Sequence, residues 1–172
     1  MATTNTQQAP TATGVAFQPA FKRVSQGEDR HADIYAVIAT LVGNDKTVDD
    51  IRKQAETFGV PKIGPFHAYL DGDLIAKLLA AYGLVATVWK EVTDFKNLNE
   101  PVAMALVDYD ADWEIGRVVL VHRQKGNDGK TIQYVIDPYM HADAKLHIRT
   151  DLKGLEPSWY IGVTAMNKPA GK

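Results

Sequence analysis

Helix-like and strand-like patterns occupy separate parts of this 172-residue chain, and that separation limits its fold more than any other feature. Three stretches between residues 33 and 83 repeat apolar side chains at helical spacing, and six later stretches have the composition of β-strands. Helices that precede strands joined by hairpins predict an α+β fold, with N-terminal helices packed on an antiparallel sheet.

The three predicted helices are defined by their apolar stripes and by their end signals. The first stripe consists of Ile34, Val37, Ile38 and Leu41. Thr47 is predicted to cap the second helix and Gly59 to end it. Its inward side chains are predicted to be Val48, Ile51, Ala55 and Phe58. The third helix is predicted to start at Asp71 or Asp73, with Leu74, Leu78, Ala81 and Tyr82 inward.

Six stretches of sequence are predicted to form strands, and three of them also indicate burial or pairing. The continuous apolar run VAMALVD (102–108) predicts a strand buried on both faces. The runs RVVLVHRQ (117–124) and TIQYVID (131–137) flank KGNDGK, whose Asn-Asp-Gly sequence predicts a hairpin turn. Three further strands are predicted at LVATVW (84–89), KLHIR (145–149) and WYIGVTA (159–165).

Composition excludes several classes of protein. The chain has no cysteine, which rules out disulfides, thiolate metal sites and a thiol nucleophile. Its formal net charge of −2, with both signs interspersed, favours neither a nucleic-acid partner nor an anionic membrane surface. No apolar run approaches the roughly 20 residues that span a bilayer, and the N-terminus lacks a signal-peptide pattern. These features fit a cytoplasmic protein without direct membrane insertion.

The length predicts one folded domain. Residues 1–17 are rich in Thr, Gln, Ala and Pro and are predicted to form a disordered tail. Residues 18–166 form the predicted domain, and residues 167–172 are a second tail or a linker.

Motifs for metal, phosphate or serine chemistry are absent from the sequence. The five histidines, His31, His67, His122, His141 and His147, match no zinc spacing, so neither a metal nor a cofactor is predicted. The GNDGK segment is not a phosphate-binding loop, because no strand–loop–helix pattern surrounds it. Neither Ser25 nor Ser158 lies in a G-x-S-x-G context.

Asp137 is the acid with the most suggestive position, because it precedes Pro138 at the end of a predicted strand. A carboxylate there is placed to orient an imidazole, as in nucleophile–base–orienter triads. An ordinary Asp-Pro turn is the other interpretation. A hydrolase that uses Asp137 with His141 or His122 and a bound water is therefore one functional hypothesis.

Several features occur in the order found in C39 peptidases. They are a Gln before the first helix, a helix–turn–helix, LIAKLLAAYGL (74–84), a Pro before a buried strand, a hairpin ending in Asp-Pro, and a closing Trp-bearing strand. Over about residues 22–165 the chain resembles this family of papain-like domains, which lie at the N-terminus of ABC exporters and cut leader peptides at double-glycine sites. The resemblance implies a papain-like fold.

The resemblance assigns the family's nucleophile and oxyanion-hole positions to the start of the first helix. Gln26 matches the Gln whose side chain helps to form the oxyanion hole. Counting forward from Gln26 places the cysteine position at Ala32, and counting back from Gly43 places it at Arg30. Neither residue carries a thiol or a hydroxyl.

The resemblance assigns the other two catalytic positions to the predicted hairpin. Arg117 stands where the family has its His, and Asp137 matches the family's Asp. His122 is five residues beyond Arg117, and such an odd offset along a strand points a side chain to the other sheet face. The orienting acid is thus present, whereas the nucleophile and the base are replaced.

Arginine cannot act as a base near neutral pH, and thiolate chemistry needs a sulfur. The resemblance therefore implies a non-enzymatic C39-like domain, as in type I secretion ABC transporters of RTX toxins and large adhesins. Such a domain is expected to bind unfolded secreted polypeptide beside the transmembrane and nucleotide-binding parts of the exporter.

Three aromatic residues are predicted to contact that polypeptide: Trp89, Trp113 and Tyr139. Trp113 lies in an acidic loop and is expected to be the most exposed. Tyr134 and Trp159 lie in apolar strands and are predicted to belong to the core. A free-standing cytosolic adaptor with a degenerate peptidase fold is a further functional hypothesis.

Overall fold

A computed structural model describes residues 17–62, 71–126, 129–141 and 143–166. Within these residues, three α-helices precede an antiparallel sheet of seven strands, which confirms the predicted α+β order. The helices are α1 (Asp33–Val42), α2 (Val48–Glu56) and α3 (Gly72–Ala81). The strands are β1 (Leu84–Ala86), β2 (Lys90–Glu91), β3 (Val102–Asp110), β4 (Ile115–Lys125), β5 (Thr131–Ile136), β6 (Ile148–Arg149) and β7 (Pro157–Ala165). No helix in these four ranges is long and apolar enough to cross a membrane.

The last strand in the chain lies inside the sheet. The strand order is β1-β7-β3-β4-β5-β6, and β2 also pairs with β7. Strand β7 therefore joins the short N-terminal strands to the long β3–β4–β5 meander, with Met104 opposite Ile161 and Ala105 opposite Tyr160. This placement holds the two ends of the sheet together through non-local pairing.

Strand β3 is buried on both faces, as its continuous apolar run predicts. Met104 and Leu106 belong to a core that the three helices cover. Ala103, Ala105 and Val107 belong to a second core on the opposite face. Side chains from residues 92–98 and Leu155 cover that second face, so the sheet lies between two apolar layers.

The predicted starts of two helices are confirmed in detail. The Thr47 hydroxyl accepts a hydrogen bond from the Asp50 backbone N–H, and the Asp50 carboxylate accepts one from the Thr47 N–H. This reciprocal pair is a capping box. Of the two predicted starts for α3, Asp71 is the cap, because its carboxylate accepts from the Leu74 N–H.

Two side chains predicted to face inward are exposed. Phe58 is 41% exposed because α2 ends at Glu56, so Phe58 lies outside the helical register. Ala81 is also exposed, at the last turn of α3. Ile75 and Leu79 are fully buried and complete the inward face of α3.

The strand predictions hold best where pairing is long. Strands β4 and β5 pair from Leu120–Ile136 to Lys125–Thr131 as the hairpin pattern predicts, although residues 127–128 of its turn lie outside the described residues. The run 84–89 is not one strand, since β1 ends at Ala86 and β2 starts at Lys90. In KLHIR only the last two residues are extended, because residues 144–146 form a 3₁₀ turn.

The two aromatic residues predicted to belong to the core, Tyr134 and Trp159, are buried to different extents. Tyr134 is fully buried, whereas Trp159 is partly buried against the helix-covered core. Residues 1–16 and 167–172, predicted to be tails, lie outside the described residues. Phe17, which the sequence assigns to the tail, packs edge-on against Tyr134 with ring centroids 4.8 Å apart.

Replacing Thr47 with alanine is expected to lower the free energy of unfolding by about 1 kcal/mol, because the substitution removes the capping hydroxyl of α2. Urea denaturation measures the change through the transition midpoint. Thr47→Ser keeps the hydroxyl and is the matched control. Equal losses in both variants would show that the cap is not what stabilises this end of α2.

Candidate functional site

A cavity of about 450 Å³ opens at one end of the sheet, beside the N-terminus of α1. Three parts of the chain form it: the approach to α1 with the first residue of that helix, the adjoining ends of β3 and β4, and the loop that follows β5. Two other cavities of about 450 and 470 Å³ have no predicted site residue in their lining. A further cavity of about 430 Å³ is lined by Gln26 but by none of the other predicted site residues. The first cavity is therefore the candidate site.

Four of the predicted site residues line this cavity: Gln26, Arg30, Arg117 and Tyr139. Asp137 lies directly behind them, where its carboxylate contacts the Arg117 guanidinium. Ala32 is fully buried at the N-cap of α1 and does not line the cavity. Of the two residues that the sequence left open for the cysteine position, only Arg30 therefore reaches the cavity.

The two predicted tryptophans lie apart from the cavity wall. Trp113 is 75% exposed in the β3–β4 turn, which confirms its predicted exposure. It is two residues before Ile115, which does line the cavity and is itself 47% exposed. Trp89 is partly buried beside Gly72 at the start of α3, and it lines no part of the cavity.

Arg117 joins two carboxylates at the floor of the cavity. Its Nε and one terminal nitrogen donate to Asp108 Oδ2 at 3.1 and 2.7 Å. Its other terminal nitrogen donates to Asp137 Oδ2. Asp137 is only 1% exposed, so its negative charge is stable only beside a cation. Arg117 supplies that cation.

Asp108 holds Arg117 from a strained backbone position. Its φ of 52° lies in the left-handed region, at the irregularity that interrupts β3–β4 pairing after Val107. Two hydrogen bonds to Glu156 support this conformation: the Asp108 N–H donates to the Glu156 carbonyl, and Asp108 Oδ1 accepts from the Glu156 N–H. Strained residues kept in place by such bonds concentrate at functional sites. No sequence pattern identified Asp108.

His141 completes the group around Asp137. Its Nε2 lies 2.9 Å from Asp137 Oδ2 and 3.3 Å from a terminal nitrogen of Arg117. Burial lowers the pKa of His141, and the positive charges of Arg117, Arg149 and Arg23 lower it further. The imidazole is therefore neutral near neutral pH.

His122 lies in a different part of the fold. Its Nδ1 is 2.9 Å from the Tyr134 hydroxyl, and its ring packs edge-on against Phe21. Of the two histidines that the hydrolase hypothesis names, only His141 is therefore beside Asp137.

Asp33 fastens the helical wall of the cavity to the sheet. Its carboxylate is 4% exposed, and its Oδ2 accepts from the Val118 backbone N–H of β4 at 2.6 Å. Its Oδ1 accepts from the Ile34 N–H at 2.9 Å. Burial raises the pKa of Asp33 to about 6, against the opposing effect of these hydrogen bonds. No sequence pattern identified Asp33 as part of the site.

Arg23 fastens the loop after β5 to the segment before α1. Its guanidinium donates to three consecutive backbone carbonyls, those of Asp137, Pro138 and Tyr139, at 2.6, 3.1 and 2.8 Å. The Gln26 backbone N–H also donates to the Pro138 carbonyl, at 3.0 Å. The orientation of Asp137 and Tyr139 thus depends on this segment.

The Gln26 side chain forms one hydrogen bond within its own turn. Its Nε2 donates to the Asp29 carbonyl at 3.1 Å, whereas its buried Oε1 has no hydrogen-bond partner among the described residues. If the amide were turned over, Oε1 would face the Asp29 carbonyl oxygen, and two acceptors would then oppose each other. Within the described part of the chain, the Gln26 Oε1 acceptor is thus unused.

Among the residues that the structure describes, no group of three or more His, Asp and Glu side chains is arranged to hold a metal ion. Comparison of the sequence with protein-family models and with curated proteins found no match. A function for the cavity therefore rests on its own residues and on the C39 resemblance.

Proposed function

We propose that this chain is a non-catalytic C39-like domain with a papain-like fold, which binds unfolded polypeptide for a type I secretion ABC transporter. The main support is the position of the Arg117 guanidinium, at the place that the resemblance assigns to the base. There it is held between Asp108 and Asp137, beside the N-terminus of α1. A guanidinium so placed cannot accept a proton near neutral pH.

The surroundings of the assigned nucleophile position also support a binding role. Arg30 lines the cavity there, and its side chain is not a nucleophile near neutral pH. Ser25 lies nearby in sequence but does not line this cavity. Its hydroxyl accepts from the Gly27 N–H at 3.2 Å and lies 3.5 Å from the Pro138 carbonyl.

The cavity suits an extended peptide because it combines apolar edges with polar groups. Ile115 and Tyr139 line it and are 47% and 45% exposed, and Trp113 lies exposed next to Ile115 in the chain. Apolar and aromatic surfaces bind peptide side chains, while a few placed polar groups set orientation. In this proposal the domain works at the cytoplasmic side of the membrane, beside the transmembrane and nucleotide-binding parts of an exporter.

Titration of the ¹⁵N-labelled domain with an unfolded RTX-type polypeptide tests the proposal. Amide shifts are expected around the cavity, at Ile115, Gly116 and Tyr139. Ile115→Ala is expected to weaken binding, whereas Val88→Ala, which changes an exposed apolar residue outside the cavity lining, is the matched control. The same polypeptide in its folded form is the second control. Absence of any shift around the cavity would refute the proposal.

One observation favours a second candidate, a hydrolase with His141 as base and Asp137 as its orienting acid. The 2.9 Å contact between His141 Nε2 and Asp137 Oδ2 matches a base–orienter pair. Arg117 weakens this candidate, because it binds the same Asp137 oxygen and makes His141 a poorer base. Hydrolysis of peptide or ester substrates that disappears in both Asp137→Ala and His141→Asn would favour it.

A further inference from the structure

The acidic and basic side chains of the cavity differ in whether they have hydrogen-bond partners. The acids have partners: Asp33 accepts from two backbone N–H groups, and Asp108 accepts from Arg117 and from the Glu156 N–H. Asp137 accepts from Arg117 and from the Tyr139 N–H. The acceptors of these three carboxylates are therefore occupied.

Arg30 is in the opposite situation. Its guanidinium lines the cavity and is exposed, and within the described parts of the chain it has neither an ion pair nor a side-chain hydrogen bond. The neighbouring Asp29 is engaged elsewhere, because its carboxylate binds Arg52 at 2.7 Å and accepts from the His31 N–H. Arg30 thus offers a planar set of donors to a ligand, which is the geometry that carboxylates bind bidentately.

Two further arginines lie behind the cavity. Arg23 donates to three neutral backbone carbonyls, and among the described residues it forms no ion pair with a carboxylate. The buried Nε of Arg149 has no hydrogen-bond partner in the described chain, although the charges of Asp108 and Asp151 act on this guanidinium. Both arginines act on His141 together with Arg117. Arg23 and Arg149 thus add positive charge near a cavity whose lining also contains the acids Asp33 and Asp108.

Gln26 offers a hydrogen-bond acceptor beside the donors of Arg30. Its buried Oε1 has no hydrogen-bond partner among the residues that the structure describes, and Gln26 lines the same cavity as Arg30. A ligand that carries both a carboxylate and a nearby N–H would satisfy Arg30 and Gln26 together. An acidic residue within a peptide has both groups, and so does the C-terminal residue of a polypeptide.

We propose that the cavity selects peptide carboxylates: a carboxylate binds the Arg30 guanidinium, and the adjacent peptide N–H donates to Gln26 Oε1. This inference rests on the proposed polypeptide-binding function and names the chemical class that the site prefers. The carboxylate belongs either to an Asp or Glu side chain or to a chain terminus.

Three unfolded Gly/Ser-rich peptides of equal length test the inference, with affinities measured by NMR titration. The first contains Asp residues and an amidated C-terminus, and the second has Asn in their place and the same amide. The third is the Asn peptide with a free C-terminal carboxylate. We expect about tenfold tighter binding of the first peptide than of the second, as for one charge-assisted hydrogen-bonded contact. A similar gain for the third peptide would identify the chain terminus as a source.

Arg30→Gln is expected to abolish the difference between the Asp and Asn peptides, so that both bind the variant with equal affinity. Lys125→Gln removes an exposed cation at the far end of β4 and is the matched control, expected to keep the tenfold difference. The His141 imidazole reports the site directly, because a carboxylate nearby raises its pKa in the wild type. Both variants keep the other charged residues in and behind the cavity: Arg23, Arg117, Arg149, Asp108 and Asp137.

The two proposals fail in different ways. Equal affinities of all three peptides for the wild-type protein would overturn carboxylate selection and leave polypeptide binding intact. Absence of binding by every peptide and by the longer unfolded polypeptide would overturn the proposed function itself. A tenfold preference that persists in Arg30→Gln would overturn the assignment of the carboxylate to Arg30.

Discussion

Replacing Arg117 with methionine is expected to lower the free energy of unfolding by about 3 kcal/mol near neutral pH, because it leaves the carboxylate of Asp137 buried without its cation. Methionine keeps much of the side-chain length, so the lost charge dominates the effect. The Tyr139 N–H and His141 remain beside Asp137, which limits the loss to the lower part of the range for broken buried pairs.

The loss in Arg117→Met is expected to depend on pH. In the wild type, Arg117 lowers the pKa of His141, whereas in the variant His141 faces Asp137 without that cation, so its pKa rises. Compared with the wild type, the folded variant therefore binds a proton at His141 more readily. Its loss of stability should be smaller at acidic pH and should grow as the pH rises.

Urea denaturation of four proteins separates the charge from the packing at this position. They are the wild type, Arg117→Met, Asp137→Asn and the double variant. The double variant is expected to be more stable than Arg117→Met, because it no longer buries an unpaired charge. A loss of less than about 0.5 kcal/mol in Arg117→Met would show that Asp137 does not depend on Arg117.

The second large effect concerns Asp33, the buried acid that joins α1 to β4. Folding raises its pKa from 3.8 to about 6, since burial outweighs its two backbone hydrogen bonds. A raised pKa means that its stabilising contribution is complete below about pH 4 and is lost as the pH rises through about 6. A shift of about two pKa units corresponds to about 3 kcal/mol.

The comparison of wild type with Asp33→Asn isolates this titration, because asparagine has a similar shape and no charge. The difference in free energy of unfolding between the two proteins should fall by about 3 kcal/mol from pH 4 to pH 6 and then become constant. Asp73→Asn changes an exposed acid in the first turn of α3 and is the matched control, expected to show no comparable fall. A difference that rises over this range would show that hydrogen bonding outweighs burial at Asp33.

Sequence reasoning predicted the local elements well because short-range periodicity determines them. The stripe from Ile34 to Leu41, the Thr47 cap and the doubly buried β3 all follow from neighbouring residues. Phe58 was predicted wrongly, because the same periodicity does not show where a helix ends. The short strands β1, β2 and β6 were the least predictable, since pairing with a distant strand defines them.

The C39 resemblance names five positions, of which Gln26, Arg30 and Arg117 line one cavity and Ala32 and Asp137 do not. It could not name Asp108, whose role depends on a left-handed backbone conformation and on contacts with Glu156. It also could not name Asp33, whose partner Val118 is 85 residues away in the chain.

The amino-acid sequence by itself determined the order of helices and strands and the lack of any thiol. Only the tertiary structure decided that β7 enters the sheet between β1 and β3, and that Arg117 binds Asp137 and Asp108. It also decided that Arg30 has no ion pair or side-chain hydrogen bond to any described residue. The physical reason is that periodicity and capping act within a few residues, whereas strand register and buried charge pairing depend on groups that meet only after the chain has packed.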